Sequence, residues 1–307
     1  MPGPLLVTGA AGFIGSAVVA EAVASGAEVV ALVRAEEPRV EGDCVTCIEV
    51  DWGSHDILRV VDETAPAGIV HAAGHSGRFV GDPDPRALYQ ANVATVWQLL
   101  DAVRVAGLAA RVVLLSSASV YGDEPPVPTT EDTPLAPATH YAASKVAAEQ
   151  IAFAFARAGE ASALVARPFN VLGPGEPPGS VVSRIALQLR AVPPKAEARV
   201  AVREAVSTRD FVDVADLAAA LVLLARVGTP GEAYNVCSGV PVTIAELVER
   251  TAAAFGRGLR VEVEQPDARP SVSLGDPSKL MALGWAPAFT LDQTLMRMAA
   301  AGEEAVR

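Results

Sequence analysis

Short apolar runs alternate with segments of helical periodicity along the first 170 residues of the chain. The apolar runs predict buried strands at 5–7, 28–33, 45–50, 68–72, 111–115 and 161–166. The segments between them predict helices at 16–25, 53–64, 85–106 and 139–158. Repeated alternation of strand and helix is typical of an α/β protein and predicts a doubly wound parallel sheet.

The pattern changes after Gly173-Pro174-Gly175. Helices are predicted at 181–190, 215–226, 243–255 and from 291 onward, with a short strand at 259–263. Thr243 and Glu246 have the spacing of a capping box at a helix start. We therefore predict a first domain over 1–170, rejoined by about 205–237, and a smaller lobe over most of 171–307 that closes over the carboxyl edge of the sheet.

A glycine-rich turn joins the first strand to the first helix, in the sequence Thr8-Gly-Ala-Ala-Gly-Phe-Ile-Gly15. Strand, turn, helix and second strand follow within about 30 residues, which is the context of a dinucleotide fingerprint. Gly9 permits the tight turn, Gly12 lets the backbone approach a pyrophosphate at the helix N-terminus, and Gly15 allows close packing of helix on strand. A dinucleotide site is predicted; a purely structural turn is the alternative.

The end of the second strand bears on which dinucleotide is bound. An acidic side chain there usually holds the ribose 2′-hydroxyl of NAD, whereas an arginine suits the 2′-phosphate of NADP. This strand ends in Val33-Arg34, so NADP(H) is preferred. NAD(H) stays possible, with Glu36 or Glu37 on the ribose and Arg34 in solvent.

Tyr141 and Lys145 lie on one face of a predicted helix, one turn apart. A fixed ammonium beside a phenol favours the phenolate, which fits the phenol for proton transfer. The predicted strand 111–115 leads into Ser116 and Ser117, at the edge where open α/β sheets bind ligands. Ser, Tyr and Lys together can hold a carbonyl or carbinol oxygen and move its proton; the alternative is a solvated Tyr–Lys pair.

Composition narrows the classes of partner. The net charge of −12 and pI of about 4.8 argue against nucleic acid or an anionic membrane. No apolar run reaches the roughly 18 residues that span a bilayer, and no signal peptide is evident. Cys44 and Cys47 fall in a strand-like segment without a second ligand pair, so no metal site is predicted, and low cysteine use suits the cytoplasm.

Several stretches together resemble one family, the extended short-chain dehydrogenase/reductases that act as epimerases, dehydratases and reductases of nucleotide sugars. They are VTGAAGFIG, the Asp51 turn, IVHAAG, ANVATVWQLLDA, LLSSASVYG, YAASK, RPFNVLGPG, STRDFVDVADL and LGWAP. Within the family, RPFNVLGPG, EAYNVCSG and ARPSVSLGDPSKLMALGWAP are most similar to GDP-4-keto-6-deoxy-mannose reductases. The resemblance implies a Rossmann-like fold with a smaller C-terminal substrate-binding lobe.

The resemblance also implies roles for matching residues. Tyr141 would give a proton to the sugar oxygen, Lys145 would hold the nicotinamide ribose and favour the phenolate, and Ser117 would bond the same oxygen. The expected cofactor contacts are Gly9, Gly12, Phe13, Ile14, Gly15, Arg34, Asp51, Trp52, Ala72, Ala73, Gly74, Asn92, Ser116, Tyr141, Lys145 and Pro168. The expected substrate contacts from the resemblance are Ser117, Asn170, Arg184, Arg209 and Arg269. His75, Ser76 and Arg78 are added because they lie on the loop beyond the predicted strand 68–72.

Departures from the family pattern select among its reactions. Dehydratases carry an acid pair after the active-site hydroxyl, where this chain has Ala118 and Ser119, so dehydration lacks its proton carriers. The prediction is NADPH-dependent reduction of the 4-keto group of a nucleotide-linked 4-keto-6-deoxy-hexose. The alternatives are an NAD-dependent 4-epimerase, a reductase of a non-sugar ketone and a non-catalytic dinucleotide-binding regulator. The family also implies a homodimer through the helices of Asn92 and Tyr141.

Overall fold

Seven parallel strands form the main sheet of the protein. The computed structural model describes residues 3–52, 56–75, 84–193 and 196–304. Numbered along the chain, the sheet strands are β1 (Leu5–Thr8), β2 (Val29–Val33), β3 (Val45–Glu49), β4 (Gly68–His71), β5 (Arg111–Leu115), β6 (Ser162–Pro168) and β10 (Ala233–Val236). Their spatial order is β3-β2-β1-β4-β5-β6-β10. The order runs outward in both directions from β1, which confirms the predicted doubly wound sheet.

Helices cover both faces of the sheet. One face packs against α1 (Phe13–Ala24) and α7 (Val214–Val227), and the other against α2 (Asp56–Thr64), α4 (Thr95–Val105) and α5 (His140–Ala158). Alternation along β1 explains the division, because Leu5 and Val7 join the first core while Leu6 joins the second. Strands buried on both faces are the reason that the apolar runs are continuous.

The predicted helix over 85–106 is not regular. It consists of α3 (Pro85–Tyr89), a π-helical turn (Gln90–Ala94) and α4 in direct succession. Asn92 lies in the π turn, and its side chain bonds the backbone N–H and C=O of His75. These bonds join the irregular turn to the loop after β4. Periodicity alone cannot foresee the extra residue in one turn, since π turns are rare.

The smaller lobe is built on short strands. It comprises β7 (Asn170–Leu172), α6 (Val181–Arg190), β8 (Glu197–Val202), β9 (Thr208–Asp213), β11 (Pro241–Thr243), α8 (Ile244–Ala254), β12 (Gly258–Val263), β13 (Val272–Ser273) and α10 (Leu291–Glu304). The short helix α9 (Ser278–Met281) packs against β10 of the main sheet instead. β9 pairs with β7, β11 and β13, and β8 pairs with β12. Leu189, Val200, Leu247 and Leu295 belong to a separate buried core. The Thr243–Glu246 capping box at α8 is confirmed.

Three findings concern the remaining sequence predictions. Both α7 and β10 return the chain to the main sheet, although the domain boundaries themselves stay a prediction. Cys44 lies before β3 with a positive φ of 70°, so only Cys47 of the pair is in a strand, and both thiols are free. Among the described residues, the helices are too short or too polar to cross a membrane.

Candidate active site

The glycine-rich turn lies so close to the neighbouring backbone that side chains would not fit at Gly9 and Gly15. Gly9 has a φ of +65°, and a Cβ placed on it would lie 2.8 Å from the backbone N of Ala73. A Cβ on Gly15 would lie 2.0 Å from the carbonyl oxygen of Gly9, so helix α1 can pack against the turn only with glycine there. Gly12 is the N-cap of α1 and has no side chain to bond the first backbone N–H groups. These groups can therefore bind an anion.

A cavity of about 480 Å³ lies above this turn. The predicted cofactor residues that line it are Gly9, Gly12, Arg34, Trp52, Ala72, Ala73 and Gly74, together with His75 from the predicted substrate set. Phe13 instead lines a separate hollow beside Val214. Ile14 is half-buried and Asp51 is exposed, directly before Trp52. The cavity thus joins the turn after β1 to the ends of β2 and β4.

Arg34, the predicted partner of a 2′-phosphate, is held by two acids. Its Nε and Nη2 donate to Oε1 of Glu37 at 3.1 and 2.9 Å, and its backbone N–H donates to Oε2 at 2.9 Å. Its Nη1 lies 3.3 Å from Glu36. Glu37 also lines the cavity, so a carboxylate and a guanidinium stand side by side at the end of β2.

Lys145 is buried between the first cavity and the end of strand β5. Its Nζ donates to the carbonyl oxygen of Leu115 at 2.9 Å and lies 6.0 Å from the centre of the Tyr141 ring. Burial lowers the pKa of Lys145 from 10.5 to about 8, and the carboxylate of Glu149 partly offsets that effect. A Cβ on Gly74 would lie 3.5 Å from this Nζ. The ammonium is therefore next to the cavity wall.

Asn92 fixes the loop that follows β4. Its Oδ1 accepts from His75 N–H at 2.7 Å, and its Nδ2 donates to His75 O at 3.0 Å and to Ser144 Oγ at 2.9 Å. Ser144 precedes Lys145 on α5. Asn92 thus connects His75, in the wall of the first cavity, to the helix that carries Tyr141 and Lys145.

Ser117 lies in a second cavity of about 410 Å³, which Pro168, Asn170 and Arg209 also line. The Ser117 hydroxyl accepts from the backbone N–H of Ser119 at 3.2 Å and from its Oγ at 3.0 Å. It is the N-cap of a 3₁₀ turn (Ala118–Tyr121). The hydroxyl is therefore held at the strand end by its own turn.

The third cavity, of about 860 Å³, lies in the small lobe and is lined by four of the eight predicted substrate residues. It is lined by Asn170, Arg184, Arg209 and Arg269, and also by Arg203. Asn170, Arg209 and Ser271 line the second cavity as well, so the two are adjacent. Nη1 of Arg209 donates to the carbonyls of Thr208 and Ser271, and its Nη2 donates to Ser271 Oγ. Arginines near one another favour an anionic ligand.

Two of the predicted substrate residues, Ser76 and Arg78, lie outside the described residues.

His71 is buried between Thr8 and Thr95, and burial lowers its pKa to about 3, which keeps the ring neutral. Within the described ranges, no cluster of three His, Cys, Asp or Glu side chains could hold a metal ion.

The sequence reading missed a buried cluster behind Ser117 and Lys145. Glu149 pairs with Arg167 at 2.8 Å and accepts a hydrogen bond from Ser116. Ser116 therefore bonds Glu149, while its predicted role was a cofactor contact. The sequence does show an acid, Glu149, one turn after Lys145 on the same helix. Its partner Arg167 lies 18 residues further along the chain, so helical spacing does not reveal the pair.

Comparison with known proteins places the chain among enzymes of nucleotide sugars. Residues 5–237 match the model described as the NAD dependent epimerase/dehydratase family. A GDP-6-deoxy-D-mannose reductase of Pseudomonas aeruginosa is 32% identical over 251 residues, covering 79% of this chain and 82% of the relative. A UDP-glucose 4-epimerase of Mycolicibacterium smegmatis is 33% identical over 307 residues, covering 95% of this chain and 96% of the relative.

Solved structures share the whole fold. MoeE5 in complex with UDP-glucose and NAD aligns over 99% of this chain and 100% of its own, with a TM-score of 0.84 and 30% identity. The similarity thus includes the small lobe as well as the main sheet.

Proposed function

The chain belongs to the NAD dependent epimerase/dehydratase family, and we propose that it is a nicotinamide-dependent enzyme that reduces the 4-keto group of a nucleotide-linked 4-keto-6-deoxy-hexose. The observation that carries the proposal is the succession of sites along one edge of the sheet. The glycine-walled cavity comes first, then Lys145 and Ser117, and then the arginine-lined cavity of the lobe.

The first cavity fits a nicotinamide dinucleotide. Its walls at Gly9, Gly12, Ala72, Ala73 and Gly74 carry no bulky side chain, and the uncapped N-terminus of α1 suits a pyrophosphate. Arg34, Glu37 and Trp52 would hold the adenosine end, and Lys145 the nicotinamide ribose. When bound, the dinucleotide supplies or accepts a hydride.

Three side chains would handle the sugar oxygen. Tyr141 gives its proton to the alkoxide that develops at O4, and Ser117 donates a hydrogen bond to the same oxygen. The ammonium of Lys145 stabilises the phenolate that Tyr141 leaves behind. Because Lys145 is buried, its charge is poorly screened by water and acts strongly over this short range.

The third cavity would hold the nucleoside diphosphate. Arg209 is fixed by the backbone of β9 and by Ser271, so its guanidinium is already ordered. An ordered, planar guanidinium forms paired hydrogen bonds with phosphate oxygens at little entropic cost. Arg184 and Arg269 add charge to the same cavity. A diphosphate in the third cavity would leave its sugar beside Ser117.

A second candidate is an NAD-dependent 4-epimerase of a nucleotide sugar. The observation that favours it is the carboxylate of Glu37, which binds Arg34 and lines the first cavity. A carboxylate there suits a ribose diol and repels a 2′-phosphate. The dehydratase reaction has no such support, because Ala118 and Ser119 provide no carboxyl group beside Ser117.

Absorbance at the reduced nicotinamide band tests the proposal. Purified enzyme is mixed with NADPH or NADH and with GDP-4-keto-6-deoxy-mannose or its dTDP counterpart. We expect stoichiometric consumption of NADPH with one of these sugars. Copurification of NAD, with interconversion of 4-hydroxy sugars and no net cofactor consumption, would instead establish the epimerase.

Arg34→Ala and Glu37→Gln separate the two cofactors. If Arg34 binds a 2′-phosphate, its removal raises the KM for NADPH by about tenfold and leaves NADH nearly unchanged. If Glu37 binds the ribose, Glu37→Gln weakens the binding of NADH more than the binding of NADPH. Arg59→Ala, an exposed arginine of α2 paired with Glu63, is the matched control and should change neither KM.

We also propose a cytoplasmic homodimer, paired through α4 and α5. The supporting observation is Trp97, which leaves 52% of its surface exposed on α4. A second copy would bury it. The mass in solution by light scattering tests this: a dimer that Trp97→Glu dissociates supports it, and a wild-type monomer contradicts it.

A further inference from the structure

A buried cluster of charged side chains lies directly behind the proposed reaction centre. Glu149 is fully buried one turn after Lys145 on α5. Arg167, on the neighbouring strand β6, is also buried and pairs with it at 2.8 Å. Buried ion pairs are a poor source of stability, because both groups lose their hydration. The cluster therefore requires an explanation other than stability.

The carboxylate of Glu149 is fully engaged by donors. Its Oε1 accepts from Ser116 Oγ at 2.5 Å and from Arg167 Nε at 3.1 Å, and its Oε2 accepts from Arg167 Nη2 at 2.8 Å. Ser116 directly precedes Ser117, and the carbonyl of Leu115 accepts from Lys145. Two successive residues at the end of β5 are therefore tied to α5 by separate bonds.

Arg167 extends the same support to the far side of Ser117. Its Nη1 donates to the hydroxyl of Tyr121 at 2.9 Å and to the carbonyl of Glu131 at 3.2 Å. Tyr121 ends the 3₁₀ turn that follows Ser117, and its hydroxyl donates to Asn235 Oδ1. The segment that carries Ser117 is thus held before and after that residue by one ion pair.

The cluster also determines the charge around Lys145. In the part of the chain that the structure describes, the titratable groups that interact with Lys145 are Tyr141 and Glu149 on α5 and His71 on β4. His71 is neutral at physiological pH because burial lowers its pKa to about 3. Glu149 is the anion that offsets the burial of the Lys145 ammonium, and Arg167 adds a second cation beyond it. Without the carboxylate, the Lys145 ammonium and the Arg167 guanidinium would each lose the anion that compensates its burial.

We propose that Glu149 is a positioning residue for the reaction: through Ser116 and Arg167 it fixes the segment of Ser117, and its charge keeps Lys145 an ammonium. The inference rests on the proposed function for the roles of Ser117 and Lys145. Glu149 itself lies outside the lining of the three cavities and acts through these neighbours.

The lysine content of the chain permits a direct test without substrate. Its three lysines are Lys145, Lys195 and Lys279, so ε-¹³C-lysine NMR resolves Lys145 once Lys195→Arg and Lys279→Arg have assigned the others. We expect Lys145 to titrate near pH 8 in the wild type. In Glu149→Gln its midpoint should fall by about one pH unit or more, and the alkaline limb of kcat should fall with it.

Ser116→Ala separates positioning from charge. It removes one bond to the carboxylate and leaves the charge, so the Lys145 midpoint should stay within about 0.3 units while kcat falls at least about fivefold at unchanged KM. If Glu149→Gln does not fold, Glu149→Asp is measured instead, because it keeps the negative charge and shortens the side chain. That variant should keep the Lys145 midpoint near the wild-type value.

Asp216→Asn is the matched control for loss of a buried carboxylate. Asp216 lies on α7 and accepts from the backbone of Ala288 and Phe289, away from the cavities. The Asp216→Asn substitution should lower the melting temperature without moving the titration midpoint of Lys145. An unmoved midpoint in Glu149→Gln, a shifted one in Glu149→Asp, or wild-type kcat in Ser116→Ala would overturn the proposal. An inactive wild type would overturn the proposed function alone, since the NMR titration needs no turnover.

Discussion

The two halves of the site are built in different ways. The proposed cofactor half is shaped by backbone: Gly9 and Gly15 leave no room for a Cβ, and small residues follow β4. The proposed substrate half is shaped by side chains, chiefly the arginines that line the lobe cavity. A backbone-shaped site accepts few changes, whereas a side-chain-shaped site can change its ligand by single substitutions. The comparison explains how a shared sheet can accompany the different sugars named for its relatives.

Tyr141, one turn before Lys145 on α5, should give the largest effect. Tyr141→Phe removes the proton donor and should lower kcat by about 10²–10⁴-fold while cofactor binding is retained. Steady-state kinetics and cofactor titration by fluorescence measure both. Tyr234→Phe is the control, because the hydroxyl of this buried tyrosine of β10 accepts from the backbone N–H of Thr229, away from the three cavities, and its loss should leave kcat unchanged. Equal loss of cofactor affinity in Tyr141→Phe would assign the tyrosine a structural role.

Gly9→Ala tests the backbone half. Gly9 and Gly107 share a φ of +65°, but only at Gly9 would the Cβ strike backbone, at 2.8 Å from Ala73 N. Both substitutions should lower the free energy of unfolding by about 1 kcal/mol, because alanine is strained in the left-handed conformation. In Gly9→Ala the clash should also weaken cofactor binding by about tenfold to hundredfold. Calorimetric titration with cofactor should show no such loss in Gly107→Ala, and equal affinities in the two variants would refute the steric argument.

Arg269→Gln tests the side-chain half. Loss of a charge-assisted bond to a diphosphate should raise the KM for the nucleotide sugar by about tenfold, with kcat nearly unchanged. Arg199→Gln, an exposed arginine of β8 that faces Glu262, should leave KM at the wild-type value. A fall in kcat at constant KM would place Arg269 at the reacting sugar and not at the diphosphate.

The pH dependence of Lys145 gives the smallest effect near neutrality. Burial lowers its pKa to about 8, so its charged fraction falls as pH rises through that value. Between pH 7 and 8 kcat should fall by less than about twofold, and above pH 8 it should approach tenfold per unit. A kcat that is flat to pH 9.5 would remove the ammonium from the mechanism.

The lowered pKa of Lys145 affects stability in the opposite direction: kcat falls as pH rises, whereas the free energy of unfolding increases. Unfolded lysine keeps its proton to about pH 10.4, so between pH 8 and 10 the unfolded chain binds more protons than the folded chain. The contribution of Lys145 to the free energy of unfolding therefore rises with pH over this window. Urea unfolding of the wild type and Lys145→Met over the same pH range should show the difference.

Local sequence signals predicted the parts of the site that depend on local geometry. The Gly9–Gly15 segment and the Tyr141–Lys145 spacing each depend on a few consecutive residues. Arg184, Arg209 and Arg269 were named from the family resemblance, whereas Arg203, which lines the same cavity, was not. The π turn around Asn92 was not predicted, because one extra residue in a helical turn leaves the apolar pattern almost intact. The pairing of Glu149 with Arg167 was also missed, since it depends on the placement of β6 beside α5.

Arg34 shows a further limit of sequence reasoning. The residue type suggested a 2′-phosphate, but the chain folds so that Glu36 and Glu37 hold the guanidinium. These are exposed pairs, and water screens them strongly, so a bound phosphate can still compete for Arg34. Cofactor preference therefore depends on a balance of charges at the end of β2, beyond the identity of one residue.

Transfer of deuterium from cofactor to sugar tests the central claim most directly. NADPH carrying deuterium on both C4 positions of the nicotinamide is incubated with the enzyme and the 4-keto sugar nucleotide, and the product is examined by NMR and mass spectrometry. The account predicts one deuterium at C4 of the sugar per cofactor consumed. A product with deuterium at another carbon, or cofactor that is never oxidised by either sugar nucleotide, would contradict it.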